Sequence, residues 1–478
     1  MQGGKIKKRP LLDMTKGSPT RLLIEFSLPL LLGNLFQQVY NLVDSVVVGR
    51  FVGANALASV GACGSLNFLF FSLSGGLAVG IGVLISQYFG AGDTTQVKKV
   101  IANSIYILSG SALVFGVVGV LLARQLLLLL STPTNIIGDA TIYLQITSAG
   151  IIAVAAYNGI SSILRALGDS KTPLYFLIVA SLLNVVLDLA FVVWFGMGVM
   201  GVAIATIIAQ AISAVGCLLY ALPRVPMLAL TREEMKLDLP IVKDSFRIGV
   251  PLAVQNSLIA ISCVVLQGVV NGFGESVIAA YTITSRIEQL VGQPYSSLAT
   301  AVTTYTGQNI GAGKIDRVRK GYRSSVLMAL GFSLCMLPLA YIFGETVIRC
   351  FVEDAEVIRI GAAALRITSI CYFPLGLIYM PRALMNGAGD ARFAMMNGMT
   401  EVAGRIIYSN IFTRIPAIGF WGVWITTGAT WVTTAIVCVL RYHSGIWQTK
   451  AVVSTLGDSE QKKTVKVTPP KKNGRRSA

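Results

Sequence analysis

Charged residues are scarce in this 478-residue chain: Asp, Glu, Lys and Arg together make up 13% of it, whereas hydrophobic residues make up 54%. A soluble domain carries roughly 25% charged residues, so about half of the usual charge is missing. This composition excludes an ordinary soluble protein and an intrinsically disordered one. One membrane crossing takes about 20 apolar residues, and a dozen crossings fit this length.

Residues that commonly build catalytic or metal sites are also few. The only histidine is His443, and the seven cysteines form no close pair and no CxxC motif, which argues against a zinc site or a disulfide framework. HExxH and GxSxG motifs are absent. The glycine-rich residues 307–314 fail the GxxxxGK[ST] pattern, because Gln308 and Ile315 stand at required positions. We therefore expect no enzyme activity and no cofactor.

The apolar residues fall into twelve runs, which predict an all-α polytopic membrane protein with 12 transmembrane helices. The runs lie near residues 22–49, 54–86, 100–123, 134–164, 172–195, 197–222, 248–271, 277–306, 324–348, 358–381, 393–413 and 416–440. The first run is too long for a signal peptide and is expected to remain as a span. The predicted divisions are a basic N-terminal tail (1–21), an N-lobe (22–222), a linker (223–247), a C-lobe (248–443) and a basic, disordered C-terminal tail (444–478).

The basic residues are distributed unevenly between the two sides of the predicted bundle. The formal net charge is +17, and the loops opposite the N-terminus hold five of the 39 Lys and Arg: Arg50, Arg124, Arg349, Arg359 and Arg414. The positive-inside rule then predicts that both termini are cytoplasmic, in a multi-pass protein of the cell membrane. The expected partner of the basic tails is the lipid bilayer rather than nucleic acid.

An internal repeat supports the division into two lobes. A shift of 221 residues superimposes residues 87–92 on 308–313, 168–169 on 389–390, 201–202 on 422–423, and Thr206 on Thr427. Because each half crosses the membrane six times, the repeats are parallel and related by an axis along the membrane normal, which places substrate between them. The paired QxxGAG loops at 87–92 and 308–313 are interpreted as helix caps and tight turns.

Acidic residues inside spans are costly in hydrocarbon and are therefore functional candidates. Asp44 in the first span and Asp188 in the fifth are predicted at one depth, near Thr206 and Tyr143, and Asn184 shares a helix face with Asp188. Two carboxylates, an amide oxygen and a hydroxyl can bind Na⁺, or the carboxylates can share a proton. The alternative is that water or backbone satisfies each acid separately near a helix end.

The second half lacks this acid pair, since Val265 and Ser409 correspond to Asp44 and Asp188. Its spans contain five residues of mixed charge instead: Arg286, Glu288, Arg366, Glu401 and Arg405. These residues are interpreted first as a structural ion-pair network. A gate or a polar substrate surface is the second interpretation.

Residues 29–44, PLLLGNLFQQVYNLVD, with VGR at 48–50, resemble the first-span signature of multidrug and toxic compound extrusion (MATE) transporters. The twelve spans, both QxxGAG loops and RALGD at 165–169 extend the resemblance over residues 15–443. It implies two lobes arranged as a V and cation-coupled export of amphipathic, often cationic, organic compounds. In the DinF-like branch, N-lobe acids with neighbouring Asn and Thr bind the coupling ion. The matching residues here are Asp44, Asn184, Asp188 and Thr206, with Tyr143 adjoining.

The mechanism expected from these residues begins when H⁺ or Na⁺ enters from outside and binds Asp44 and Asp188. The first span then bends or repacks at Pro29 or Gly33, closing the outer cleft and expelling the substrate. The NorM-like branch of the family places acids in the seventh and tenth spans. This chain has Gln255, Asn256 and Arg366 there.

The expected substrate contacts are Tyr40, Asn41 and Asn158, and the protein is expected to act as a monomer. One alternative function is a flippase for lipid-linked precursors, which requires a cationic central cavity. The candidate cations for such a cavity are Arg286, Arg366 and Arg405. A membrane enzyme is the third possibility, but the sequence offers no nucleophile or metal constellation for one.

Overall fold

The computed structural model describes residues 11–453, which form helices joined by loops, with no strand in that range. Eight helices are long and apolar enough to cross a membrane, and ten spans result when two bent pairs each count as one. Helices α9 and α13, which carry more polar residues, complete the twelve predicted spans. The α-helices are α1 Pro19–Val47, α2 Ala54–Ala91, α3 Thr94–Leu129, α4 Ile137–Ala149, α5 Ile151–Ala166, α6 Lys171–Leu189, α7 Gly198–Ala221, α8 Leu239–Val270, α9 Glu275–Gly311, α10 Ile315–Arg349, α11 Ala355–Ser369, α12 Tyr372–Ala388, α13 Ala391–Phe412 and α14 Gly422–His443.

Two of the predicted spans are broken helices. The fourth span is α4 and α5, bent by 44°, and the tenth is α11 and α12, bent by 50°. The break in the tenth span precedes Pro374, which has no N–H to donate to the carbonyl of Ile370. At the other break, a Cβ on Gly150 would overlap the side chain of Ile207 in α7. Pro29, in contrast, lies inside the continuous helix α1.

Both described termini and the connection between the lobes lie at one end of the bundle, here called the basic end (residues 11–18, 222–238 and 444–453). The opposite end is called the open end. Within the connection, Glu234 forms an ion pair with Lys98 of α3 at 3.2 Å. The Thr231 N–H donates a hydrogen bond to Glu234 and holds the pKa of that carboxyl below its usual value. These contacts tie the connection to the N-lobe.

The two lobes touch in the half of the bundle nearest the basic end. There α2 packs on α8 so closely that a Cβ on Gly80 would lie 2.6 Å from the Gly249 Cα. Helix α1 packs on α9, with Asn34 donating to the Ser297 hydroxyl at 3.1 Å. Toward the open end, α2 exposes apolar side chains such as Phe68. The lobes therefore form a V that opens away from the basic end.

Two symmetry-related glutamines clamp the lobes together at the basic end. Gln87 of the N-lobe donates to the carbonyl of Gly387 in α12, and Gln308 of the C-lobe donates to the carbonyl of Ala166 in α5, both at 2.9 Å. The loops that follow do form tight turns, as predicted, with Gly92 in the left-handed conformation. The interlobe role of the glutamines is an additional feature that spacing along the chain did not reveal.

The same glutamines also hold the two terminal segments. Met14 N–H donates to the Gln308 side-chain oxygen, and Val452 N–H donates to that of Gln87, both at 2.9 Å. Trp447, in a 3₁₀ turn, is buried. Residues 11–18 and 444–453, which the sequence assigns to tails, are therefore packed against the lobes. Tail residues 1–10 and 454–478 lie outside the described residues.

Replacing Gly90 by Ala tests the close contact of the lobes. A Cβ there would overlap the carbonyl oxygen of Gln308, and such overpacking costs about 1–3 kcal/mol. Gly110→Ala in α3 is the matched control, because no atom lies within 4 Å of its added Cβ. We expect Gly90→Ala to lower the melting temperature in detergent and Gly110→Ala to preserve or raise it. Equal melting temperatures for the two variants would contradict the proposed packing.

Candidate functional site

Helices α1 and α6 bring Asp44 and Asp188 together in the N-lobe. The two carboxyl groups lie within hydrogen-bonding distance of each other. Asp188 is completely buried and Asp44 is partly buried. One oxygen of each carboxyl has no hydrogen-bond partner among the described residues. Unpaired buried oxygens are costly, and a proton or a cation can satisfy them.

Neutral side chains complete the surroundings of the acid pair. Asn184, with its amide oriented by its neighbours, donates to Asp188 Oδ2 at 2.9 Å and accepts from the Thr206 N–H at 3.2 Å. Tyr40 lies one turn before Asp44 on α1, and its hydroxyl is within hydrogen-bonding distance of the Thr206 side chain. Asn184 therefore orients one carboxyl, and Tyr40 links α1 to α7.

Tyr143 is the contribution of α4 to this cluster. It is buried and lies beside Asp44, Asp188 and Tyr40. The structure thus brings together the five residues predicted for cation coupling. It also adds Tyr40, which the sequence assigned to substrate contact, whereas Asn41 is exposed on α1.

Both helices that carry the acids continue as π-helices shortly beyond them. The π-helical segments are Val48–Val52 after α1 and Ala190–Trp194 after α6. Their wide turns are closed by hydrogen bonds from Gly53 N–H to Val48 O and from Phe195 N–H to Ala190 O, each 3.1 Å. Single π-helical turns are frequent at functional sites. The glycines that follow these segments are the only signal for them in the sequence.

The cluster can hold a small cation or a proton. Na⁺ takes oxygen ligands of the kind that Asp44, Asp188, Asn184 and Thr206 supply. Alternatively, one proton shared between the carboxyls removes the repulsion between two neighbouring negative charges. Either ion would reduce the negative charge of a carboxyl pair that is shared between α1 and α6.

A cavity of about 390 Å³ lies between the lobes, above the glutamine clamps. Side chains of α1, α2, α5, α8, α9 and α12 line it. A second cavity of about 320 Å³ shares Val79, Arg165 and Asn256 with it and adds Phe68 and Asn158. Among the predicted substrate contacts, Asn158 therefore lines a cavity between the lobes. The lining residues of these two cavities do not include Tyr40 or Asn41.

Comparison with known proteins identifies the family of this fold. The MatE family model matches residues 29–190 and 251–400. This chain belongs to the MatE family. It is 30% identical over 446 residues to the probable multidrug resistance protein YpnP of Bacillus subtilis, covering 91% of this chain and 97% of the relative. It is 25% identical over 448 residues to the probable multidrug resistance protein NorM of Thermotoga maritima, covering 90% and 94%.

Solved structures agree on the fold of this MATE transporter. One in the outward-facing conformation, described as a multidrug resistance MATE family transporter of the MOP superfamily, superimposes with a TM-score of 0.87. The match covers 93% of this chain and 100% of that one, at 24% identity. The predicted MATE family and the architecture of two parallel six-span repeats are confirmed.

The C-lobe of this MATE transporter contains a buried charge cluster that differs from the predicted network. Arg382 pairs with Glu401 at 3.6 Å, and both side chains are largely buried. Arg405 lies beside Glu401 and Glu288, and Glu288 also contacts Thr368. Arg382 was missed because the tenth span was predicted to end at residue 381, whereas α12 extends to Ala388. Two arginines and two glutamates balance each other in this cluster.

Arg286 and Arg366 lie outside this cluster, contrary to the predicted network. Arg366 is exposed on α11, with its guanidinium 6.0 Å from the centre of the Tyr341 ring. Arg286 is exposed on α9, ten residues before Ser296, the first residue of α9 that lines the cavity. That separation is about 15 Å along a helix, so Arg286 lies outside the cavity lining. Both side chains are exposed and are not part of the buried cluster.

Arg405→Gln and Arg366→Gln test this division of the C-lobe arginines. Removing the buried Arg405 leaves Glu288 and Glu401 without a shared countercharge, which costs about 3–5 kcal/mol. Removing the exposed Arg366 changes stability by less than about 0.5 kcal/mol. Unfolding of the purified variants in detergent measures the difference. A variant Arg366→Gln as unstable as Arg405→Gln would return Arg366 to the charge network predicted from sequence.

Proposed function

We propose that this MATE transporter is a secondary active multidrug exporter that moves amphipathic organic compounds across the cell membrane in exchange for H⁺ or Na⁺. The observation that carries the proposal is the buried pair Asp44 and Asp188, each with an oxygen free of partners among the described residues. The cavity between the lobes, of about 390 Å³, supplies a separate place for the substrate. The names of the relatives, as multidrug resistance proteins, support export.

The basic end is proposed to face the cytoplasm, with the transporter acting as a monomer. Positively charged loops are retained on the cytoplasmic side of a membrane, and the excess of Lys and Arg lies at this end. The V then opens to the outside, so the coupling ion reaches Asp44 and Asp188 from there. The described structure corresponds to the state that takes up the ion and releases the substrate.

Helix α1 is proposed to couple the ion to the substrate. It carries Tyr40 and Asp44 into the cation cluster, and it lines the cavity with Leu30 and Asn34. Asn34 and Asp44 are separated by ten residues, or about 15 Å along a helix. Neutralising the acids changes the packing of α1 on α6, and bending at Pro29, which has no N–H to donate, transmits the change to the cavity wall.

Opening toward the cytoplasm requires separation of the lobes at the basic end. The interlobe hydrogen bonds of Gln87 and Gln308 break in that transition, together with the contacts that hold Met14 and Val452. Each hydrogen bond makes a net contribution of about 1 kcal/mol. The glutamine contacts are therefore strong enough to favour the state that is closed at the basic end and weak enough to break. The glutamines therefore act as the inner gate of the alternating-access cycle.

For a flippase of lipid-linked precursors, the sequence offered Arg286, Arg366 and Arg405 as the arginines of a cationic cavity, and none of them lines the cavity between the lobes. The relatives are described as multidrug resistance proteins, which favours export over lipid flipping. The structure places Arg366 on an outer surface and Arg405 in the balanced C-lobe cluster. Arg286 is exposed on α9 and does not line the cavity.

Asp44→Asn is expected to abolish ion-coupled efflux while the protein still folds, because the amide cannot release a proton or supply a charged ligand. The assay uses proteoliposomes with either a pH gradient or a Na⁺ gradient. It follows two xanthene dyes of opposite charge, rhodamine 123 and fluorescein. Flux in the variant should fall to that of empty liposomes, and the gradient that drives the wild type identifies the ion.

Asp139→Asn is the matched control for this experiment. Asp139 lies in the first turn of α4 at the open end and is exposed, so its loss should leave transport unchanged. Transport of Asp44→Asn at the wild-type rate would refute the assignment of the coupling site. Absence of flux of either dye under both gradients would refute the proposed exporter itself.

Gln87→Ala and Gln308→Ala test the inner gate. Each variant loses one interlobe hydrogen bond and one bond to a terminal segment, so we expect hydrogen–deuterium exchange of residues 83–93 and 304–314 to rise by roughly tenfold. The double variant should exceed either single one. Gln125→Ala, at an exposed position on α3, is the control. Unchanged exchange in the double variant would show that the glutamines do not hold the gate.

A further inference from the structure

The cavity between the lobes is positively charged. Its lining includes Arg165 of the N-lobe and Arg382 of the C-lobe, and no Asp or Glu is among the described residues that line it. The two arginines enter from opposite lobes and lie at nearly symmetric positions, since the 221-residue shift relates Arg165 to Asn386 and Arg382 to Ser161. A ligand in the cavity therefore meets a guanidinium on both sides.

Arg165 has no charged partner of its own. It forms no ion pair among the described residues, and its titratable neighbours are Tyr157 and Cys217, which are neutral at physiological pH. Arg165 also lines the second cavity. Arg165 is half-buried, and a cation partly withdrawn from water without a countercharge is costly. This cost is relieved when a negatively charged ligand supplies the missing partner.

Arg382 adds to the positive potential without cancelling that of Arg165. It contacts Glu401 at 3.6 Å and stacks over the Tyr379 ring, 4.6 Å from its centre. Glu401 also faces Arg405, which in turn balances Glu288. Because this cluster is neutral as a whole, it leaves no surplus negative charge for the cavity. Arg165 of the N-lobe therefore gives the cavity its net positive charge.

The remaining lining fits the body of an aromatic compound and the polar atoms of an anion. Neutral amide and hydroxyl groups from several helices also line the cavity. The amides of Asn34, Gln255 and Asn256 have N–H groups to donate, whereas the Thr300 and Thr303 hydroxyls already donate to backbone carbonyls. Tyr379 and, in the adjoining cavity, Phe68 and Phe71 provide aromatic surface. Guanidinium groups bind carboxylates and sulfonates through paired, charge-assisted hydrogen bonds.

We propose that this cavity binds organic anions, namely amphipathic compounds that join an aromatic body to a carboxylate or sulfonate. The anionic group lies between Arg165 and Arg382, and the aromatic body extends toward Phe68. This assignment deepens the proposed export function by naming its substrate class, and its transport consequence rests on that function. Organic cations, expected from the family resemblance, are repelled from the base of this cavity.

Fluorescence polarisation with the purified protein in detergent measures binding of fluorescein and rhodamine 123, which share a xanthene body and differ in charge. The wild type should bind fluorescein at least about tenfold more tightly than rhodamine 123. Arg165→Gln and Arg382→Gln should each weaken fluorescein binding by roughly tenfold, the loss of one charge-assisted hydrogen bond. Neither substitution should weaken rhodamine 123 binding. Arg165→Lys should retain most of the preference for fluorescein.

Arg392→Gln is the matched control, because Arg392 lies near the start of α13, is exposed, and is absent from the cavity lining. Equal fluorescein affinity in Arg165→Gln, Arg382→Gln and Arg392→Gln would overturn the proposal. So would a wild type that binds rhodamine 123 as tightly as fluorescein. If one of the two arginine variants fails to fold, the test rests on the wild-type preference for fluorescein over rhodamine 123 and on the variant of the other arginine.

The proteoliposome assay separates this proposal from the exporter proposal. Gradient-driven movement of rhodamine 123 without binding or movement of fluorescein overturns the anion site and leaves the exporter intact. Fluorescein binding that depends on both arginines, without movement of either dye, overturns the exporter and retains the anion site. Movement of fluorescein that Arg165→Gln reduces by about tenfold or more supports both.

Discussion

The close contact of the two lobes at the basic end is the constraint on which the rest of this transporter depends. Glycines at the crossing points let the backbones of α2, α8 and α9 approach, and any side chain at Gly90 or Gly311 would overlap the opposing helix. Gln87 and Gln308 then satisfy carbonyl groups of the partner lobe. Van der Waals packing and hydrogen bonds hold helices together in lipid, where the hydrophobic effect cannot.

The contact between the lobes at the basic end is symmetric, whereas the acid pair nearer the open end is not. The clamp repeats with the 221-residue shift, but the acid pair exists in the N-lobe alone, with Val265 and Ser409 at the corresponding C-lobe positions. In the proposed cycle, a symmetric gate lets both lobes rock about one axis, whereas ion binding acts on the N-lobe alone. Helix α1 joins the two features, because it spans from the clamp region to Asp44.

The spans and the acid pair could be predicted from sequence because hydrocarbon imposes strong rules. A backbone in lipid satisfies its polar groups within a helix, so apolar runs mark spans. A lone Asp44 within such a run stands out for the same reason. The rule concerns single helices, however, and says nothing of which helices meet. The interlobe partners of Gln87 and the neutral surroundings of Arg165 arise between distant segments.

The predicted ends of the spans were the other source of error. These errors changed which side chains were expected to lie within the bundle. Ending the tenth span at residue 381 put Arg382 into a loop, although α12 carries it into the cavity wall and against Glu401. The fourth run was likewise predicted to end at residue 164, which left Arg165 outside the span, whereas it lies in the last turn of α5. A shift of one helical turn decides whether an arginine is solvated or lines a cavity. The sign of the cavity's charge was therefore not predictable from the run pattern.

The sign of that charge also determines how a membrane potential acts on the transport cycle. A cation moving inward to Asp44 and an organic anion moving outward from Arg165 carry charge in the same direction. Each elementary charge crossing 100 mV contributes about 2.3 kcal/mol, so a one-for-one exchange gains about twice that from an inside-negative potential. Export of an organic cation in the same ratio moves no net charge and gains nothing from the potential. With organic anions as substrates, as proposed from the arginines at the base of the cavity, the membrane potential drives export in addition to the ion gradient.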